Sequence, residues 1–169
     1  ALTETRGASL RPRAVIAVDL FGLPADYDEL TSVAQANDLV VIADAAQSFG
    51  AESDGRKVGT MATLTCTSFF PAKPLGCYGD GGAIFTNNDN LATKIRSIRV
   101  HGQEGRYRHT SIGLNGRLDT IQAAILLTKF SIFNREILLR NDIADFYTRE
   151  LNNAGLDIKT PFILNGNVS

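Results

Sequence analysis

Between Ser68 and Pro74 the chain reads Ser-Phe-Phe-Pro-Ala-Lys-Pro, placing one amine, Lys73, between two prolines. Proline fixes its own φ and disfavours helix in the residue before it, so Ala72-Lys73-Pro74 predicts a fixed irregular turn. Three polar residues keep it company: Asp44 at the end of an apolar run, Gln47 three residues on, and Ser68 five residues before the lysine. An aldehyde cofactor such as pyridoxal phosphate needs one group of each kind. A lysine forms its Schiff base, and a carboxylate keeps its pyridine nitrogen protonated as an electron sink. A hydroxyl contacts its phosphate and an amide its ring oxygen. The lysine must shed its proton to act as a nucleophile, which desolvation and a neighbouring cation promote. On spacing alone, a solvated loop lysine in a proline-rich turn explains the same residues, and both readings stand.

The elements that must position this set can be read in order. Ala14 to Leu20 is a nearly continuous β-branched run, as in a strand buried on both faces. Asp26 with Glu29 three residues later predicts a capping box for a helix over 27–37, with Tyr27, Leu30, Val33 and Ala34 on its buried stripe. Leu39 to Ala43 predicts a second strand that ends at Asp44. A strand, helix and strand in so short a span form a right-handed βαβ crossover with parallel strands. Ligands of such sheets gather beyond the carboxyl ends of the strands, which is where Asp44 stands. A strand over 63–68 and a short one over 83–86 follow, separated by the glycine cluster Gly76, Gly79, Gly81 and Gly82. A helix starts near Asn87 to Asp89. From His101 to Asn115 no periodicity survives, which predicts a polar loop, and loops of that length are functional or disordered. A helix is expected over 117–151, with Leu118, Ile121, Ala124, Ile125, Leu127 and Thr128 on its apolar side and a break near Phe133-Asn134.

Composition bounds the class. The chain has 169 residues, 44% hydrophobic and 21% charged, with a net charge of −1. That is enough for one domain with its own core. A near-neutral charge without a basic run leaves no footprint for nucleic acid or a membrane surface. Cys66 and Cys77 lack Cys-x-x-Cys spacing, and the two histidines lack a third ligand at helical spacing, so neither a disulfide framework nor a metal site is expected. The start, Ala1-Leu2-Thr3-Glu4, has no charged start and apolar run of a signal peptide, and no segment is long and apolar enough to span a bilayer. A cytoplasmic protein is the expectation.

Five ordered blocks carry a resemblance: Asp44 to Gly50 (DAAQSFG), Ser68 to Lys73 (SFFPAK), Gly79 to Ala83 (GDGGA), His101-Gly102, and Gly113 to Ala124 (GLNGRLDTIQAA). Over about residues 14–151 the chain resembles the sugar-nucleotide aminotransferases of the DegT/DnrJ/EryC1/StrS group, which are fold-type I pyridoxal-phosphate enzymes. The wording of 67–85 is closest to members that aminate the 3-oxo position of a UDP-N-acetylhexosaminuronic acid. The resemblance implies an α/β fold, a three-layer, mostly parallel sheet of about four strands with the last antiparallel, flanking helices and a long C-terminal helix. This is part of an aspartate-aminotransferase-like large domain. It implies that Lys73 carries the cofactor and moves protons, and that Asp44 pairs with the ring nitrogen. Gln47 would contact the ring side and Ser68 the phosphate. Asn115 would reach the phosphate of a partner subunit in a homodimer, and Tyr107, Arg108 and His109 would lie near the nucleotide-sugar substrate. Glutamate is the implied amino donor. Family members with histidine in place of the lysine are dehydratases, so Lys73 implies amino transfer. Relatives are roughly twice this long, with a large and a small domain. Residues 1–116 are then expected to form part of the cofactor-binding domain, 117–155 a helix leading toward a small domain, and 156–169 an incomplete tail. The alternative is a catalytically inactive remnant serving as a folded cofactor-binding or oligomerisation module.

Overall fold

The computed structural model describes residues 11–163 and the backbone of 167–168. Expectations for residues 1–4 lie outside it. Strands β1 (Ala14–Val18), β2 (Val40–Asp44), β5 (Leu64–Ser68) and β6 (Gly82–Phe85) form a sheet in that order. β1, β2 and β5 run parallel and β6 antiparallel. Two short strands, β3 (Glu52–Ser53) and β4 (Arg56–Lys57), make a hairpin between β2 and β5, and β9 (Asn167–Val168) pairs with β3. Asp54 and Gly55 both take positive φ at the hairpin tip, as an Asp-Gly turn does.

Helix α1 (Tyr27–Ala36) crosses between β1 and β2. Its start is capped by Asp26, whose carboxylate accepts the Glu29 amide at 2.9 Å. Tyr27 and Ala34 pack on Ala17, Val41 and Ala43, with Leu30 half-buried. Val33, expected on the buried stripe, is 41% exposed, because it lies off the side of the helix that Tyr27 and Ala34 turn toward the sheet. The register puts Val15, Ala17, Val41, Ala43, Thr65, Thr67, Ala83 and Phe85 on this face. On the other face Ile16, Val18, Val40 and Ile84 are 40–66% exposed, so the described residues leave that side of the sheet largely open.

Helix α2 (Asp89–Ile98) starts at Asn88, whose side chain accepts the Asn90 and Leu91 amides. Helix α3 (Thr120–Asn153) runs unbroken for 34 residues, about 50 Å. The expected break near Phe133-Asn134 is absent, because Phe133 is the side chain that seats the helix: it is 2% exposed, among Phe69, Leu75, Cys77 and Leu126. The expected apolar side also turns. Leu126 is buried, whereas Ile121 and Leu127 are each 74% exposed. Long apolar runs on a helix leave its rotation to whatever it packs on. The stretch 101–115, expected as an irregular loop, carries a hairpin of β7 (Gln103–Gly105) and β8 (Arg108–His109).

Among the described residues two buried hydroxyls, Thr65 Oγ1 and Ser97 Oγ, lack a hydrogen-bond partner, and Thr65, 1% exposed, lies in the core. An unmet buried hydroxyl is costly, so Thr65→Val is expected to stabilise the chain by about 1 kcal/mol. A thermal midpoint raised by about 2–4 °C checks this.

Candidate active site

Asp44 closes β2 and sits in register with Cys66 of β5. Ser68, two residues past Cys66, shares its face of the sheet. Both polar side chains therefore stand at the carboxyl edge of neighbouring parallel strands, on the open face. Burial and then the charge of Asp44 push the Cys66 thiol up, which places a carboxylate close to that sulfur.

Beyond Asp44 the chain turns sharply through 46–50. The Ala46 amide donates to Asp44 Oδ1 at 3.1 Å, the Ala45 amide to the Cys66 carbonyl at 2.8 Å, and the Thr67 hydroxyl to the Ala45 carbonyl at 3.0 Å. Phe49 seats the far side of the turn among Phe69, Phe85 and Phe133, with ring centroids 5.6–5.9 Å apart. Gln47 is exposed on the turn, and its Oε1 accepts the Phe21 amide at 2.9 Å.

Lys73 rides on a loop closed at its base. The Phe69 amide donates to the Gly81 carbonyl at 2.7 Å, and the Cys77 amide to the Phe69 carbonyl at 2.8 Å. The buried Cys77 thiol adds bonds to the Phe69 and Gly79 carbonyls. A Cβ on Gly76 would stand 2.5 Å from the Pro71 carbonyl oxygen, so only glycine lets the two sides of this loop meet. Helix α3 holds the loop from below. Lys129 donates to the Gly76 carbonyl at 2.6 Å, and Gln122 accepts the Tyr78 amide at 2.8 Å. Within the loop the Lys73 amide bonds the Phe70 carbonyl, giving the irregular turn that Pro71 and Pro74 predict. Lys73 is half-buried, and no hydrogen bond or ion pair joins its Nζ to another described side chain.

Asp44, Gln47, Ser68 and Lys73 thus fall on the carboxyl-edge strand ends and the loops that leave them. The remaining expected residues lie apart. Tyr107, Arg108 and His109 occupy the exposed tip and second strand of the β7–β8 hairpin, with Tyr107 at φ 61°. His109 Nδ1 is 2.9 Å from the His101 carbonyl. Asn115 is exposed beside Val100, and its Oδ1 accepts Arg117 Nε at 3.0 Å. No hydrogen bond connects either group to Asp44, Gln47, Ser68 or Lys73. A cleft of about 940 Å³ between β5–β6 and α2, lined in part by Cys66, Ile84, Ile95 and Arg99, includes none of those four.

Sequence reasoning missed one participant. The first strand stops at Val18 instead of Leu20, because Asp19 leaves the sheet to bind side chains while 20–22 form a 3-10 turn. Asp19 is fully buried. Its Oδ1 accepts the Tyr27 hydroxyl at 2.6 Å and the Ala25 amide at 2.9 Å, and its Oδ2 accepts the Ser48 hydroxyl at 2.6 Å. The available signal was parallel placement: Asp19 follows β1 as Asp44 closes β2. Phe21 in the same turn adopts φ 59°, a left-handed conformation that costs a residue with a Cβ roughly 1–2 kcal/mol.

Burial, then the hydrogen bond to Asp19, keeps the Tyr27 hydroxyl protonated far above the ordinary tyrosine range. The unfolded chain loses that proton near pH 10.0 while the folded chain retains it. Its contribution to stability is therefore complete below that pH and declines above it. Urea midpoints measured from about pH 9 to about pH 11 should fall more steeply for the unmodified chain than for Tyr27→Phe.

A mostly parallel four-stranded sheet, with a carboxylate at the end of one strand and a lysine on the loop after its neighbour, defines an α/β domain. The family model described as the DegT/DnrJ/EryC1/StrS aminotransferase family matches residues 1–167, and the chain belongs to that family. It is 54% identical over 159 residues to the UDP-2-acetamido-2-deoxy-3-oxo-D-glucuronate aminotransferase of Pseudomonas aeruginosa, covering 94% of this chain and 44% of that protein. Its fold matches the crystal structure of a DegT DnrJ EryC1 StrS aminotransferase from Brucella abortus with a TM-score of 0.95 at 46% identity, covering all of this chain and 45% of the other. It also matches Streptomyces venezuelae DesV, solved in complex with a ketimine intermediate, with a TM-score of 0.88 at 36% identity, over 97% of this chain and 44% of that one. The chain spans less than half the length of these relatives. Among the described residues no helix is long and apolar enough to cross a membrane, and no three His, Cys, Asp or Glu side chains are grouped as metal ligands would be.

Proposed function

We propose that this chain carries the cofactor-binding part of a cytoplasmic, homodimeric aminotransferase that uses pyridoxal phosphate to move an amino group from glutamate to a keto-sugar nucleotide. The observation that supports the reading is the placement of Asp44 and Ser68 at the ends of neighbouring parallel strands β2 and β5, with Gln47 and Lys73 on the loops that leave them. The donor set fits the cofactor. Asp44 offers a carboxylate for a ring nitrogen, and Gln47 has its oxygen occupied by Phe21 while its NH2 has no acceptor among the described residues. Ser68 accepts the Phe70 amide at 3.2 Å, which leaves its own proton to donate. Among the described residues the Lys73 amine has no partner. When bound, pyridoxal phosphate supplies an electron sink beside the carbon that gains or loses nitrogen.

Around it each residue has a distinct task. Lys73 Nζ would hold the cofactor's aldehyde and would be the amine able to take up and return protons as a general acid and base. The Asp44 carboxylate would favour a proton on the ring nitrogen, as opposite charge does. Gln47 Nε2 would donate to the ring oxygen and Ser68 Oγ to the phosphate. Asn115 would serve the partner subunit's site, and the 107–109 hairpin tip would approach the nucleotide. We assign 1–116 to the large domain, 117–155 to the helix leading on toward a small domain, and 156–169 to the start of the connection. The substrate class is a UDP-linked 3-oxo sugar acid, supported by the 54% identity to an enzyme named for that substrate. Adding pyridoxal phosphate, then glutamate, tests the reading. A lysine-dependent visible absorbance that glutamate discharges supports it, and an unchanged spectrum of the free cofactor overturns it.

A further inference from the structure

We propose that Asp19 is a positioning residue for Gln47: its buried carboxylate locks both chain segments that hold the glutamine amide in one orientation. The inference rests on the reading that Gln47 serves the cofactor ring. One lock runs through Ser48, the residue after Gln47, whose hydroxyl donates to Asp19 Oδ2 at 2.6 Å. The other runs along the chain from Asp19 into the 20–22 turn, where the Phe21 amide donates to Gln47 Oε1. The Asp19 amide is bonded in turn to the Asp44 carbonyl at 3.0 Å. A single fully buried residue therefore ties the ends of β1 and β2 through its amide and the turn between Asp44 and Gly50 through its carboxylate.

The chemistry of the clamp sets what Gln47 can offer. A backbone N–H can be received only by the amide oxygen, so a flipped Gln47 would set two donors against each other. With Oε1 occupied, Nε2 is left as the outward donor, suited to an oxygen acceptor on a ligand and unsuited to a ligand N–H. Phe21 holds a left-handed φ and an 84% exposed ring, an unfavourable state for a residue with a Cβ unless its surroundings impose it. Asp19 Oδ1 closes the segment that carries Phe21 by accepting the Ala25 amide at 2.9 Å. A buried carboxylate with three donors and no cation partner among the described residues is an expensive way to shape a loop, and its two 2.6 Å bonds are of the short, charge-assisted kind. Tyr27 shares the carboxylate but leads into α1, away from Gln47, and so provides the control.

The experiment needs no cofactor for its first readout. In the 15N-labelled chain, Asp19→Asn and Ser48→Ala are expected to speed hydrogen exchange of the Phe21 amide about tenfold and to shift the Gln47 side-chain NH2 signals. Tyr27→Phe is expected to lower the unfolding midpoint while leaving both signals in place. If Asp19→Asn fails to fold, Ser48→Ala decides alone. Unchanged Phe21 exchange in Ser48→Ala, or equal disturbance by Tyr27→Phe, overturns the inference. The second readout is equilibrium titration with pyridoxal phosphate. Ser48→Ala should weaken its binding about tenfold, and should add nothing in a Gln47→Ala background. Failure of the unmodified chain to bind pyridoxal phosphate sinks the functional reading, while the amide signals still decide whether Asp19 positions Gln47.

Discussion

Replacing Lys73 with alanine is expected to remove the visible absorbance of bound pyridoxal phosphate and to lower amino transfer by about 10²–10⁴-fold or more, the range carried by one positioned acid-base group. Fold stability should be almost untouched. Lys73 is half-exposed and its amine makes no bond with another described side chain, so its loss belongs with surface changes that cost under about 0.5 kcal/mol. A large chemical effect with a small thermodynamic one separates a reacting amine from a structural one. Borohydride reduction followed by peptide mass spectrometry gives the complementary result: the cofactor mass should be fixed on the peptide containing Lys73. Label on Lys129 would count against the assignment. That amine is committed to the Gly76 carbonyl and lies 5.0 Å from the centre of the Tyr78 ring.

The second large effect concerns the support under the site. Phe133→Ala is expected to cost about 3–5 kcal/mol, as truncation of a buried aromatic does, out of a total stability of about 5–15 kcal/mol. Phe133 is 2% exposed and stacks on Phe49 at 5.6 Å, and Phe49 anchors the turn that carries Gln47. The same ring fills the space over Gly50, where an added Cβ would lie 2.9 Å from it. The cavity left by alanine cannot be refilled from Gly50, which has no side chain to move. Thermal unfolding should shift by on the order of 10 °C. Phe130→Ala, one turn earlier and 57% exposed, should cost less than about 1 kcal/mol. Equal losses at the two positions would show that Phe133 does not seat the helix.

Reading these residues in sequence reaches unequal depths. The order β1, α1, β2, β5, β6 was legible because each element announces itself locally, by β-branched runs, by the Asp26–Glu29 cap, or by glycine and proline between segments. The turn at Lys73 was legible for the same reason, since Pro71 and Pro74 act on their own neighbours. The rotation of α3 was not. Ile121, Leu126, Leu127 and Phe133 are all apolar, and only contact with Phe49, Phe69 and Cys77 chooses Leu126 and Phe133 for burial. The hairpin at 103–109 escaped notice because strands of two and three residues carry too few positions for a period to show.

What the sequence alone determined is the family: a lysine in a proline-flanked turn, an acid at a strand end, an amide and a hydroxyl nearby stand in the order of one aminotransferase family. Those follow from residue identity and short-range backbone geometry. Tertiary structure decided the role open to Asp19, because a charged residue stays buried only when donors arrive to meet it. Here they come from 6, 8 and 29 residues away. It also decided that Gln47 faces outward as a donor, since the Phe21 amide that occupies its oxygen is brought there only by the pairing of β1 with β2.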